Sequence, residues 1–268
     1  MEFYLFYLAI GLFAGFLAGL LGVGGGLVIV PALALIFAAQ SFPATHIMHL
    51  ALGTSLASIL FTSVSSLRSH HAHHAVNWPL VRGISPGIVS GTLAGALVAA
   101  QLSTFFLKVF FIVFISYVAV QMLLNLRPRP SSHRLPGAGG LFITGGVIGG
   151  VSSLVGIGGG TLSVPFMIWC NISLHQAIGT SAAIGFPIAA AGALGFLFNG
   201  LTARGLPQYS LGFIYLPALG GLVLTSILTA PLGAKLAHRL PIPKLKKIFA
   251  ALLLILDLRM LLSLFQSA

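Results

Sequence analysis

The 268-residue chain is 57% hydrophobic and 6% charged, with 13 Lys and Arg against two acidic residues and a formal net charge of +11. A soluble domain carries roughly 25% charged residues to wet its surface, so most of this exterior faces lipid, and the positive balance suits headgroups rather than nucleic acid. The single cysteine, Cys170, excludes an internal disulfide and a zinc cluster of thiolates.

Apolar segments fall at about 3–39, 47–67, 79–102, 105–125, 139–170, 175–198, 210–234 and 248–266. Several reach the ~20 residues that a helix needs to cross the hydrocarbon core, and none shows the short alternating pattern of a membrane barrel. The first run is too long for one crossing: as a single helix it would extend roughly 55 Å against a core of about 30 Å. Gly22, Gly24, Gly25 and Gly26 interrupt it, and Pro31 follows. Such residues are poor helix, so two half-helices joined by irregular backbone are expected. The second segment carries His49 and then Gly53-Thr54-Ser55. After it come His70, His71, His73 and His74 with no Cys, Asp or Glu nearby, read as a solvated basic loop and not as a metal site. The third segment contains Gly91 and Gly95, and the first Gly11, Gly15 and Gly19, a spacing that lets helices approach closely.

After the fourth segment, residues 127–138 form a basic, Pro-rich linker containing Arg127, Arg129 and Arg134. Beyond it the pattern begins again. Residues 11–33 align without gaps to 145–167, with 9 of 23 positions identical. The second glycine run is Gly156, Gly158, Gly159 and Gly160, followed by Pro165. HLALGTS (49–55) matches HQAIGTS (175–181), and Lys108 to Met122 corresponds to Lys246 to Met260. The expectation is an all-α integral membrane protein of two homologous halves, 1–126 and 139–268.

Charge placement gives the topology. With eight full crossings, six basic loop residues fall on each side. If both glycine-broken segments instead enter and leave on one face, one side holds ten and the other only Lys108 and Arg204, which fits the positive-inside bias. Each half then crosses three times, making the halves inverted repeats that each open with a re-entrant broken helix. A tilted broken helix that crosses is the alternative.

Glycine-rich backbone at membrane depth persists where it is buried in protein or lines a wet cavity. The helix that resumes after each break offers free N–H groups and a positive dipole end, which suit an anion. Proposed donors are the amides of Gly24, Gly25, Gly26 and Leu27, with Gly158, Gly159, Gly160 and Thr161; Gly22, Pro31, Gly156 and Pro165 would support the breaks. Thr54, Ser55, Thr180 and Ser181 either bridge helices or complete the substrate's coordination. His49 and His175 are candidates for proton coupling, or face interfacial water at helix starts. Asp257, in the last apolar helix, is either a proton site or an interhelical contact. No dinucleotide fingerprint, Walker loop, carboxylate pair or nucleophile–base constellation stands out, so neither an enzyme nor a cofactor is expected.

The twin G-x-G-G-G motifs with V-P a few residues on, the later G-T-S pairs and the eight-segment length resemble the TauE/SafE family of sulfite exporter-like permeases over nearly the whole chain. The resemblance implies a multi-pass protein of a bacterial-type cytoplasmic membrane that moves sulfur-containing anions such as sulfite, sulfoacetate or other organosulfonates. It places the motif glycines, Pro31, Pro165 and the G-T-S sites around the pathway. Asp257 and the histidine cluster depart from the family pattern. The expected function is therefore a secondary transporter working by alternating access, with H+ or Na+ as coupling ion. Transport of another solute or a metal cation, or a scaffold role, are the alternatives.

Overall fold

The computed structural model describes residues 2–22, 24–124, 135–237 and 242–265; most of the predicted linker, through Arg134, lies outside the described residues, as does Arg239. In chain order the helices are α1 (Glu2–Leu21), α2 (Gly26–Ala39), α3 (Ile47–Ala72), α4 (Trp78–Gln101), α5 (Thr104–Leu123), α6 (Ala138–Val155), α7 (Gly160–Trp169), α8 (Leu174–Gly200), α9 (Leu216–Ala237) and α10 (Ile242–Phe265). Seven of these, α1, α3, α4, α5, α6, α8 and α9, are long and apolar enough to cross a bilayer. The protein is an all-α, multi-pass membrane protein.

The first apolar segment divides where expected. α1 stops at Leu21, and Gly22, Gly24 and Gly25 take left-handed backbone, with φ of 68°, 79° and 77°. A residue with a Cβ would lose about 1–2 kcal/mol at each such position. The second break repeats this with Gly156 at φ 70° and Gly159 at φ 78°. Two other helix starts, those of α4 and α5, are held by side chains: the Asn77 amide oxygen accepts from the Leu80 N–H at 3.2 Å, and Ser103 Oγ from the Phe106 N–H at 3.2 Å.

Both broken segments are hairpins. Tyr7 near the start of α1 donates its hydroxyl to Gln40 Oε1 just past the end of α2, at 3.2 Å, so the chain returns to the face it entered. In the second half, Leu141 at the start of α6 packs in the cluster that contains Met167, near the end of α7. α3, α4 and α5 then run in alternating directions, and α8, α9 and α10 do so in the opposite sense. Arg68, Arg82, Lys235 and Lys247 come to one face, Lys108 and Arg204 to the other. By the positive-inside bias the first is the cytoplasmic face.

The halves are interlocked. The Gly11, Gly15 and Gly19 face of α1 lies against α9, where a Cβ at Gly15 would sit 2.5 Å from Thr229 Oγ1. Gly145 and Gly149 of α6 lie in the same way against Ile84, Ile88 and Thr92 of α4. Each half's first helix therefore packs on the other half's fourth, α3 and α8 pack against each other in the middle, and α5 pairs with α10.

Three segments differ from expectation. α3 runs on through Ala72, so His70 and His71 form its last turn; His70 is buried, with Nε2 3.1 Å from the Gly19 carbonyl. The predicted solvated loop describes only His71, His73 and His74, which are exposed. The last turn of α3 is anchored there, because the Gly19 carbonyl of α1 supplies the buried ring with a hydrogen-bond partner. Residues 210–215, expected as helix, form a two-stranded antiparallel pair, Ser210–Leu211 with Ile214–Tyr215, turned by Gly212 at φ 56°. α10 begins at Ile242, one and a half turns before the apolar run.

Candidate functional site

The two glycine breaks meet in the interior. A Cβ at Gly24 would lie 2.9 Å from the Gly158 Cα, and one at Gly26 would collide with the Gly156 carbonyl oxygen. The segments pass in opposite directions, Gly24 beside Gly158 and Gly26 beside Gly156. Only glycine lets backbone approach backbone this closely.

From this crossing α2 and α7 run back to opposite faces, so their N-termini converge. Their N-cap residues, Gly25 and Gly159, are both left-handed and provide no side-chain cap. The first amides of a helix have no intrahelical acceptor, which makes those of Gly26, Leu27, Gly160 and Thr161 a pair of donor sets at the positive ends of two dipoles. Pro31 and Pro165 each stand at the sixth residue of their helix.

The G-T-S triplets tie the halves together residue by residue. Gly53 lets α3 approach the Phe213 carbonyl, as Gly179 lets α8 approach that of Ala75. Thr54 Oγ1 accepts the Tyr215 N–H at 2.9 Å, and Thr180 Oγ1 the Asn77 N–H at 2.9 Å, each just before a fourth helix. Ser55 Oγ donates to the Gly156 carbonyl at 2.8 Å, and Ser181 Oγ to that of Gly22 at 2.7 Å. Each serine thus holds the break of the opposite half. All four hydroxyl side chains are fully buried.

Beside the crossing is a cavity of about 10 Å³ lined by Gly22, Gly24, Gly158, Ser181 and the α3 residues Thr62, Ser63 and Ser66. That is room for roughly one water. Thr62 Oγ1 lies 2.9 Å from Ser226 Oγ of α9, while the buried Ser66 Oγ has no hydrogen-bond partner. The α3 hydroxyls are the members that the sequence reading missed. Their signal is the run Phe61-Thr62-Ser63-Val64-Ser65-Ser66, where Ser58, Thr62 and Ser66 recur every fourth residue on one helix face. Allowing for the offset between the G-T-S motifs, α8 has Ile188, Ala189 and Gly192 opposite Thr62, Ser63 and Ser66, so the stripe is not duplicated. The second break has hydroxyls of its own: Ser152, Thr161 and Ser163 are buried with no partner.

The cavity brings together Gly22, Gly24, Gly158 and Ser181 among the predicted residues. Ser55 sits behind it, and Thr54 and Thr180 serve the fourth helices. The proposed proton-coupling residues are dispersed. His49 is buried near the start of α3, with Nε2 3.0 Å from the Ala99 carbonyl, whereas His175 is exposed on the cytoplasmic face. Asp257 accepts a short hydrogen bond from Ser116 across the α5–α10 pair, which is an interhelical contact away from the crossing.

The family description Sulfite exporter TauE/SafE matches residues 7–260. A protein of Haemophilus influenzae named "Probable membrane transporter protein" is 38% identical over 261 residues, 97% of this chain and 99% of that one. One of the same description from Methanocaldococcus jannaschii is 27% identical over 257 residues, covering 94% of this chain and 93% of its own. YunE of Bacillus subtilis, also a probable membrane transporter protein, is 28% identical over 211 residues, 71% and 77% of the two chains. No solved structure matches the chain.

Proposed function

We propose, from the premise that this chain belongs to the sulfite exporter TauE/SafE family of membrane transporters, that it is a secondary permease for small sulfur-containing oxyanions such as sulfite, sulfoacetate or related sulfonates. The observation that carries this reading is the convergence of two uncapped helix starts, Gly26 and Gly160, on one buried crossing of glycine backbone. Partial positive charge from two helix ends attracts an oxyanion without a fixed cation that would oppose its release. The lining of hydroxyls and glycine, without a carboxylate, favours an anion over a metal cation.

The cavity is far smaller than a sulfonate, so binding requires the hairpin tips to part. One tip hangs from each face, and the halves are inverted, so withdrawing one opens a path to one side while the other stays closed. That is alternating access with the site at the repeat interface. Thr62, Ser63, Ser66 and Ser181 would donate to the anion beside the helix-start amides. A proton or Na+ gradient would supply the driving force.

The test is flux of radiolabelled sulfite and sulfoacetate in proteoliposomes, with imposed pH and Na+ gradients. Saturable uptake that one gradient accelerates is expected. Absence of flux for every oxyanion under every gradient, with a protein that remains folded, would refute the proposal.

A further inference from the structure

We propose that the groove between α3 and α9 on the cytoplasmic face binds one anionic phospholipid of the inner leaflet. The groove encloses about 700 Å³, walled by Phe61 and Val64 of α3, Phe186 of α8 and Ile227 of α9, with Arg68 and Lys235 at its end. Phe61 and Phe186 are 44% and 41% exposed, so the wall faces the hydrocarbon.

Its dimensions match a lipid. From Leu60 to Ala72, both lining residues, α3 rises about 18 Å at 1.5 Å per residue, close to the depth of one leaflet with its headgroups, about 20 Å. The apolar wall therefore accompanies an acyl chain from near the midplane, and the two cations, with Ser69 beside them in the lining, stand at its headgroup end.

Charge selects the headgroup. The chain has only two acidic residues, Glu2 and Asp257. Glu2 begins α1 at the opposite face, and Asp257 is engaged with Ser116. Arg68 and Lys235 must therefore find their counter-charge outside the chain. A zwitterionic lipid fills the wall but leaves a net positive end. A second copy of this chain has no carboxylate to bring to it. A free oxyanion neutralises the cations and leaves the aromatic wall unused. An anionic phospholipid satisfies both parts.

The site also touches the transport machinery. The hydroxyl of Ser65 in the groove donates to the Ile227 carbonyl at 2.9 Å, one turn from the Thr62–Ser226 contact beside the central cavity. A lipid wedged between α3 and α9 bears on that joint.

The experiment uses the full chain in detergent, with Trp78 and Trp169 changed to Phe and Phe186→Trp as reporter, titrated with brominated phosphatidylglycerol or brominated phosphatidylcholine of identical chains. Phosphatidylglycerol is expected to quench at a half-saturation about thirtyfold lower than phosphatidylcholine. R68Q/K235Q should weaken it by about thirtyfold, to the phosphatidylcholine level, whereas R82Q/K247Q on the same face should change it less than twofold. Thermal melting of the unlabelled protein with each lipid, with and without R68Q/K235Q, supplies a second readout should the reporter perturb folding. Equal quenching by both lipids overturns the proposal. So does an equal loss in the control pair, which would mean diffuse attraction. Sulfite protection that depends on Arg68 and Lys235 and displaces the lipid would make this a solute site, and a reporter shielded by dimer formation would make it a subunit contact. Either result overturns it.

Discussion

The reciprocal serine bonds give the closed crossing a measurable strength. Ser55→Ala and Ser181→Ala each remove one donor and leave a glycine carbonyl buried in protein without its partner. Interhelical hydrogen bonds in membrane proteins average about 0.6 kcal/mol and reach about 1.7. Both serines are fully buried, so the upper part of that range applies, about 1–1.7 kcal/mol each. If parting the tips breaks both bonds in one event, each variant shifts the open population roughly 5- to 17-fold and the double variant roughly 30- to 300-fold. The assay is thiol labelling of Ser66→Cys, in the cavity, in a Cys170→Ser background. Cys170 is the only native cysteine, so in that background Ser66→Cys is the single labelling site. Labelling by a small aqueous thiol reagent should accelerate by those factors. Unchanged rates in all three variants, with lowered melting temperatures, would show that the serines stabilise the fold without governing access.

Gly25→Ala adds a Cβ at φ 77° and 2.8 Å from the Ala14 carbonyl, so it should lower the melting temperature by the equivalent of about 2 kcal/mol or more, while Gly139→Ala, with open space around it, should leave the melt unchanged. Thr54→Val or Thr180→Val strands a backbone N–H and should cost about 1–3 kcal/mol in reversible unfolding; equal stability to the parent protein would mean water replaces the hydroxyl. His70→Ala should destabilise by about 1 kcal/mol or more through loss of its bond to Gly19, whereas the triple change of His71, His73 and His74 to Ala should preserve transport in proteoliposomes. Asp257→Asn keeps an acceptor for Ser116 and should retain folding and flux; a lost gradient dependence in that variant would instead assign Asp257 to coupling.

Much of the architecture was legible because it depends on local backbone rules. Gly22, Gly24, Gly25, Gly156 and Gly159 announce breaks, since few other residues tolerate left-handed φ, and the duplication shows where the pattern restarts. The hairpin return of α1–α2 was readable from charge alone, because ten basic residues on one face suit a membrane better than six on each. Bridging was one of the two uses read for Thr54, Ser55, Thr180 and Ser181, but their partners were not readable, because these lie more than a hundred residues away in the other half. Thr62, Ser63 and Ser66 escaped notice for a related reason: a search guided by duplication passes over residues that only one half has. The β-pair at 210–215 lies in an apolar run, and periodicity says little about so short a piece.

The exchange of first helices has a consequence for biogenesis. The glycine face of α1 emerges from the ribosome early, yet the surface it fits, α9, is translated only after most of the protein has entered the bilayer. Until then Gly11, Gly15 and Gly19 present a smooth groove to lipid, and the nascent amino-terminal half waits for its mate. Cutting the gene between the two repeats would therefore yield fragments that mature only when made together in one membrane.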